Sequence, residues 1–225
     1  MLLLTHMTSR NKKDRLISVS LGFISGILYS LWLLGFYLNR PAFSRLDISA
    51  LQATSQPHHT FFIAGDILTG IATILMAFFI MRVFSGSSSR SINSLRLCLI
   101  GIVIFGLMTA ISCVLPSCID SSRVCDTNLS QILDWHDITG GIASFALFLS
   151  LVGLLKFVHR KISSKMYRLI LGLVFAWCIS GILFVVLSIG TKPQALNSQR
   201  LFLILSSLCL FVIPFTINRE EVVEN

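Results

Sequence analysis

The chain has 225 residues, of which 54% are hydrophobic and 12% charged; the charged share is about half that of a soluble domain, which excludes water as the main solvent. Phenylalanine outnumbers tyrosine by 17 to 3, and the apolar residues fall in long runs without a helical or alternating period, which excludes an amphipathic soluble fold. The formal net charge of +8 sits in short Lys/Arg clusters between apolar runs, with no basic stripe interleaved with aromatics, so no nucleic-acid partner is expected.

Met1-Leu2-Leu3-Leu4 is too short for the core of a signal peptide and is followed, not preceded, by basic residues, so no cleaved leader is expected. Residues 1–15 read as a basic tail. Crossing a hydrocarbon core of about 30 Å takes roughly 20 helical residues. Six stretches meet that length: Leu16 to Leu38, Thr60 to Val83, Leu95 to Leu115, Ile138 to Val158, Tyr167 to Ile189 and Leu201 to Ile217. The expected fold is therefore an all-α integral membrane protein, one six-transmembrane-helix bundle over residues 16–217, with an acidic tail over 218–225. The last stretch is the shortest, and Pro214 is expected to loosen its end. Gly22 and Gly26 in the first form a small-xxx-small pair, the usual mark of close helix packing.

Basic residues of short loops stay cytoplasmic. Arg10, Lys12, Lys13, Arg15, Arg82, Arg90, Arg96, Lys156, Arg160, Lys161, Lys165, Arg168 and Arg219 fall on one side, against Arg40, Arg45, Arg123, Lys192 and Arg200 on the other. Both termini are thus expected in the cytoplasm of a multi-pass protein of the cell membrane, with the long connections Asn39 to His59 and Pro116 to Asp137 outside. An internal echo, Asp66-Ile67-Leu68-Thr69-Gly70-Ile71-Ala72-Thr73 against Asp137-Ile138-Thr139-Gly140-Gly141-Ile142-Ala143-Ser144, runs outside to inside in the second and fourth spans. It fits either a duplicated hairpin or small residues recurring for packing.

Asp66 is the one acidic residue well inside an apolar run, about one and a half turns from the outer end of the second span. An uncompensated carboxylate there costs several kcal/mol, so it needs a partner or a proton; it reads either as a functional group facing the bundle interior or as a structural hydrogen bond to a Ser, Thr or backbone group of a neighbouring helix. His59 precedes it by two helical turns and shares its face if the helix begins after Pro57. His136 opens the fourth span beside Asp134 and Asp137, and the preceding loop adds Asp120 and Asp126. His59, Asp66, Asp120 and His136 together have the donor chemistry of a zinc site that would activate water against a lipid ester or amide, although no short-spaced ligand motif is present. Asp66 and His136 are the catalytic candidates of that reading. Haem between His59 and His136 has no second histidine pair near the inner face to support it. Ser25, Ser112, Ser144 and Ser180 lie in spans without a Gly-x-Ser-x-Gly elbow, which gives serine hydrolysis no support.

Cys118 and Cys125 share the second outer loop, where oxidation is permitted, and a Cys118–Cys125 disulfide is the preferred pairing, with Cys113 at the membrane edge leaving the connectivity open. Cys98, Cys178 and Cys209 read as packing residues. Asn128-Leu129-Ser130 is a sequon on the outer side.

Ser49 through Pro57, Gly65-Asp66-Ile67-Leu68-Thr69-Gly70, the Leu115-Pro116 exit followed by Asp120, and His136 resemble, in order and spacing, the six-span domain-of-unknown-function family numbered nine-nine-eight. A looser similarity runs to the Frag/DRAM/Sfk group, six-span proteins with an extended outer loop before the second helix and links to lipid handling. The resemblance implies a six-helix bundle and directs attention to Asp66, Asp120 and His136 without supplying an activity. Cys118 and Cys125 belong to no pattern of that family.

Three functions follow. The first is a non-enzymatic protein of the lipid bilayer whose outer polar cluster binds a lipid head group or a membrane protein partner. The second is a metal-dependent lipid hydrolase using zinc at His59, Asp66, Asp120 and His136. The third is a proton-coupled transporter with Asp66 as relay, which six spans would bring to transporter size as a homodimer.

Overall fold

The computed structural model describes residues 9–40, 48–53, 56–85, 92–115, 135–159, 161–190 and 192–218. Every element among them is helical. Helix α1 (Ser9–Tyr29) continues through a 3-10 turn (Leu31–Leu34) into the short α2 (Gly35–Leu38), and a second 3-10 turn spans Ile48–Gln52. Five long helices follow: α3 (His59–Val83), α4 (Ile92–Ser112), α5 (Trp135–Val158), α6 (Ser164–Gly190) and α7 (Lys192–Asn218). Taking α1 and α2 as one span, six helices are long and apolar enough to cross a membrane. The chain is thus a polytopic all-α protein, as expected from its runs of apolar residues.

The starts of the spans fall a few residues earlier than hydropathy places them. Helix α1 begins at Ser9, within the segment read as a tail, and α3 at His59, directly after His58 in the left-handed conformation (φ 62). The larger correction concerns α7. With 27 residues it equals α6 in length and runs through Pro214 to Asn218 without ending there. Gly22 makes this feasible: a Cβ at that position would overlap the Pro214 ring and come within 3.0 Å of the Leu210 carbonyl, the group that Pro214, lacking an N–H, leaves without its helical partner. Asn218 then donates from Nδ2 to the Pro214 carbonyl at 2.7 Å.

Lipid tails are as apolar as leucine side chains, so helices in a bilayer associate through close contact and hydrogen bonds rather than through exclusion of water. The glycines supply that contact. Gly26 faces the Ser207 carbonyl of α7, with 2.9 Å left for a Cβ; Gly70 of α3 and Gly106 of α4 meet backbone to backbone; Gly153 of α5 lies against Ser94 and Cys98 of α4. The Gly22/Gly26 pair is therefore an α1–α7 packing motif. Hydrogen bonds reinforce two of the seams: Ser30 to Ser207 at 2.9 Å, and the Trp177 indole to Ser206 at 2.8 Å with the Trp177 and Phe202 rings 5.0 Å apart. The echo between α3 and α5 has different surroundings in its two copies, since Gly70 is pressed against Gly106 whereas a Cβ on Gly140 or Gly141 would meet nothing within 4 Å.

Arg15 donates to the Asn218 carbonyl at 3.2 Å and Asp14 pairs with Arg82 at 3.2 Å, so the beginnings of α1 and the ends of α3 and α7 share one end of the bundle, here called proximal. Around the bundle the helices run α5, α4, α3, α1, α7, α6, each packed on the next, while α5 touches α6 and α7 only sparsely. The buried side chains of α6 are Ile170, Val174, Trp177 and Ser180; from Gly181 to Ser188, toward the distal end, none is buried. Among the described residues, α6 is thus packed into the bundle proximally and buries no side chain in the stretch from Gly181 to Ser188.

Candidate functional site

The distal end is covered from above by the segment between α2 and α3. Its 3-10 turn places Ile48, Leu51 and Ala53 inside, at 7%, 1% and 3% exposure, and Ile48 and Leu51 form a small core with Trp32 and Phe62, joined by Leu203. An apolar residue at each end of one short turn explains the insertion: both side chains leave the same face of the helix. Polar ties fix the segment on three sides. The Ile48 backbone N–H donates to Gln199 Oε1 at 3.0 Å, Asn39 Nδ2 to Gln56 Oε1 at 2.9 Å, and Gln52 Nε2 to Asp66 Oδ2 at 2.5 Å.

Asp66 sits on the inward face of α3. Phe62, Thr69 and Thr73 share that face at one-turn and two-turn spacings and are buried, whereas Asp66 itself is part exposed. It therefore keeps some accessible surface on an otherwise buried face. Among the described residues only Gln52 bonds its carboxyl, at Oδ2, and no Lys, Arg or His pairs with it. Below it, Tyr29 meets Phe105 edge to face at 5.5 Å, and both Tyr29 and Cys113 are close enough to Asp66 to interact with its charge. Tyr29 is the last α-helical residue before the first span tightens into its 3-10 turn, so the backbone of that span changes pitch beside the carboxylate.

The histidines occupy the rim. His59 is half-buried, with Nδ1 3.1 Å from the Gln56 carbonyl, and His136 is half-buried, with Nδ1 2.7 Å from the Ser112 carbonyl. A carbonyl only accepts, so in each contact Nδ1 carries the proton. His59 and Asp66 do share a face of α3 and are tied to the same segment, through Gln56 and Gln52. His136 is tied instead to the end of α4. Asp120, Cys118 and Cys125 lie outside the described residues, and among the described residues no three His, Cys, Asp or Glu side chains converge as metal donors. Cys98, Cys113, Cys178 and Cys209 are free thiols. The span serines are spoken for by their own helices: Ser25 bonds the Leu21 carbonyl, Ser112 that of Thr109, Ser144 that of Gly140 and Ser180 that of Trp177, all at 2.8 to 2.9 Å. This is how hydroxyls are satisfied where there is no water.

Gln52, Gln199 and Tyr29 are the site residues that sequence reasoning missed. The one local signal was the apolar pair Ile48 and Leu51 directly before Gln52 in an otherwise polar connection.

A six-helix polytopic membrane protein with an intramembrane carboxylate under a short helical cover is the class these features define. The chain matches the family model described as Protein of unknown function (DUF998) over residues 23–215, and it belongs to that family. The match covers the site from Tyr29 through Gln199, and no match carries the looser likeness to the Frag/DRAM/Sfk group. No curated protein and no solved structure matches the chain.

Proposed function

We propose that this protein binds a lipid from the surrounding bilayer, holding the head group at Asp66 beneath the Ile48–Gln52 cover, with both termini in the cytoplasm of the cell membrane and the cover outside. The observation that carries this reading is the part exposure of Asp66 on an otherwise buried face of α3. A carboxylate at that depth costs several kcal/mol, and such residues mark ligand or proton pathways by default. The sparse contact of α6 with α5, and the lack of a buried α6 side chain from Gly181 to Ser188, support entry from the membrane rather than from water. The distribution of Lys and Arg supports the assignment of the proximal end to the cytoplasm.

The test uses the full chain purified in a mild detergent and examined by native mass spectrometry for co-purified lipid. Gly140→Phe fills part of the space beside α5, where a Cβ meets nothing within 4 Å, so it is expected to leave the fold intact and to reduce the lipid-bound fraction several-fold. A wild-type protein without bound lipid, or lipid unaffected by Gly140→Phe, overturns the proposal.

The pitch change of the first span beside Asp66 favours one second reading, proton-coupled transport, because broken helices next to a midplane site are how many transporters place their ligands. It requires proton flux in proteoliposomes that is lost in Asp66→Asn.

A further inference from the structure

The chamber around Asp66 has a charge imbalance that bears on its occupant. Gln52 is a neutral amide and engages one carboxyl oxygen, Oδ2. Oδ1 accepts from no described residue, yet it is not among the sealed polar atoms without a partner, so it faces the accessible space. Among the described residues the surroundings are otherwise uncharged: Thr69, Thr73 and Thr109 are buried hydroxyls, Thr69 and Thr73 spend their protons on carbonyls of α3, and the Tyr29 ring packs on the buried Phe105. Among the described residues, the Asp66 carboxyl has no cation to answer the charge it carries when ionised.

We infer that the group held at Asp66 is an ammonium, either the amine of a lipid head group or a free amine, received by the Asp66 carboxylate with the Tyr29 ring alongside. This rests on the reading of the chamber as a binding site. A carboxylate attracts a cation far more strongly in a low-dielectric setting than in water. Aromatic faces add to the attraction for ammonium groups in particular, because the ring quadrupole is negative above the plane. An anionic head group would meet the carboxylate with like charge and, among the described residues, no cation paired there to hold it. A divalent metal would need further donors, and among the described residues no third His, Cys, Asp or Glu joins one. Tyr29 is half-buried and close enough to Asp66 to interact with its charge.

The experiment titrates the full chain in mild detergent with phosphatidylethanolamine, with phosphatidylglycerol of the same acyl chains, and with ethanolamine alone, read by native mass spectrometry. Asp66→Asn and Tyr29→Leu are compared with wild type, and thermal unfolding certifies each as folded. The expected result is a preference for phosphatidylethanolamine of about tenfold or more, reduced to near parity in Asp66→Asn and weakened in Tyr29→Leu. Binding of ethanolamine without either lipid supports the ammonium site and overturns the lipid reading. Equal binding of the two lipids overturns the ammonium inference and leaves the lipid reading standing. Absence of all three adducts overturns both. Should Asp66→Asn fail to fold, Gln52→Glu, which places a second carboxyl beside Asp66, replaces it: increased preference for the amine lipid supports the inference and reduced preference overturns it.

Discussion

The Asp14–Arg82 pair provides an asymmetric test of how the proximal end is held. Its nitrogen and oxygen are 3.2 Å apart, but the partners differ in environment: the Asp14 side chain is 6% exposed and that of Arg82 32%. Arg82 also lies over the Phe78 and Phe79 rings, 5.6 and 5.4 Å from their centres. Arg82→Ala therefore strands a sealed anion and removes the ring contacts, whereas Asp14→Asn strands a cation that keeps both water and aromatic faces. Losing one partner of a fully buried pair costs about 3–5 kcal/mol and of an exposed pair about 0–1 kcal/mol. Arg82 is about one third exposed, so screening discounts the upper figure, and Arg82→Ala is expected to cost about 2–3 kcal/mol against about 1 kcal/mol for Asp14→Asn. At roughly 2–4 °C per kcal/mol for a chain of this size, melting temperature falls by about 4–12 °C in the first case and about 2–4 °C in the second. The double variant should be more stable than Arg82→Ala alone, because the anion left stranded is gone. Thermal unfolding in mild detergent, followed by a thiol-reactive fluorophore, reads this directly, since Cys98 and Cys209 are fully buried reporters, one on α4 and one on α7. Equal or greater damage from Asp14→Asn, or no recovery in the double variant, refutes the reasoning.

Three further outcomes are expected. Gly22→Leu, which drives a side chain into Pro214 and the Leu210 carbonyl, should cost about 1–3 kcal/mol or more, whereas Gly141→Ala, with nothing within 4 Å of its new carbon, should be neutral or stabilise by up to about 1 kcal/mol; the same melting assay separates them. With the native thiols replaced, a cysteine at Ser85 should resist an impermeant reagent in intact cells and one at Asn197 should react, both positions being exposed at opposite ends of the bundle; the reverse pattern would invert the topology. Elemental mass spectrometry of the purified protein should find zinc well below one per chain, and near-stoichiometric zinc lost in His136→Ala would instead favour the hydrolase.

The spans were legible because the bilayer imposes a length and an apolar composition that no tertiary detail can override. Asp66 was legible for the same reason, as a charge where none is tolerated without cause. What the sequence hid are pairings across the fold. Gln52 is an ordinary polar residue of a connecting segment until the 3-10 turn sets it on Asp66, and Asp14 reads as one acid in a basic tail until α3 brings Arg82 to it. Pro214 misled because its effect depends on a residue 192 positions away: against any side chain larger than that of Gly22 the expected loosening of the helix end would follow. Asp120, Cys118 and Cys125, singled out from the sequence, lie outside the described residues.

The two ends of the bundle obey different energetics, and the difference bears on function. Proximally an ion pair, an Arg15 bond to a helix terminus and the Asn218–Ser18 contact at 2.9 Å join α1 to α3 and α7. Distally α6 buries no side chain from Gly181 to Ser188 and touches α5 only sparsely. In water such loose packing would forfeit burial of apolar surface at about 25 cal/mol per Å². In a bilayer the displaced contacts are made by lipid tails, and the loose packing costs little. The Asp66 carboxylate is the opposite case, since a part-exposed acid with no cation among the described residues burdens the fold in any membrane. Loose packing that costs little, at the same end of the bundle as a charge that costs much, is an arrangement that packing alone does not favour; occupation of the site by a ligand of the opposite charge removes the burden, which is why the ammonium titration discriminates between a binding site and a tolerated defect.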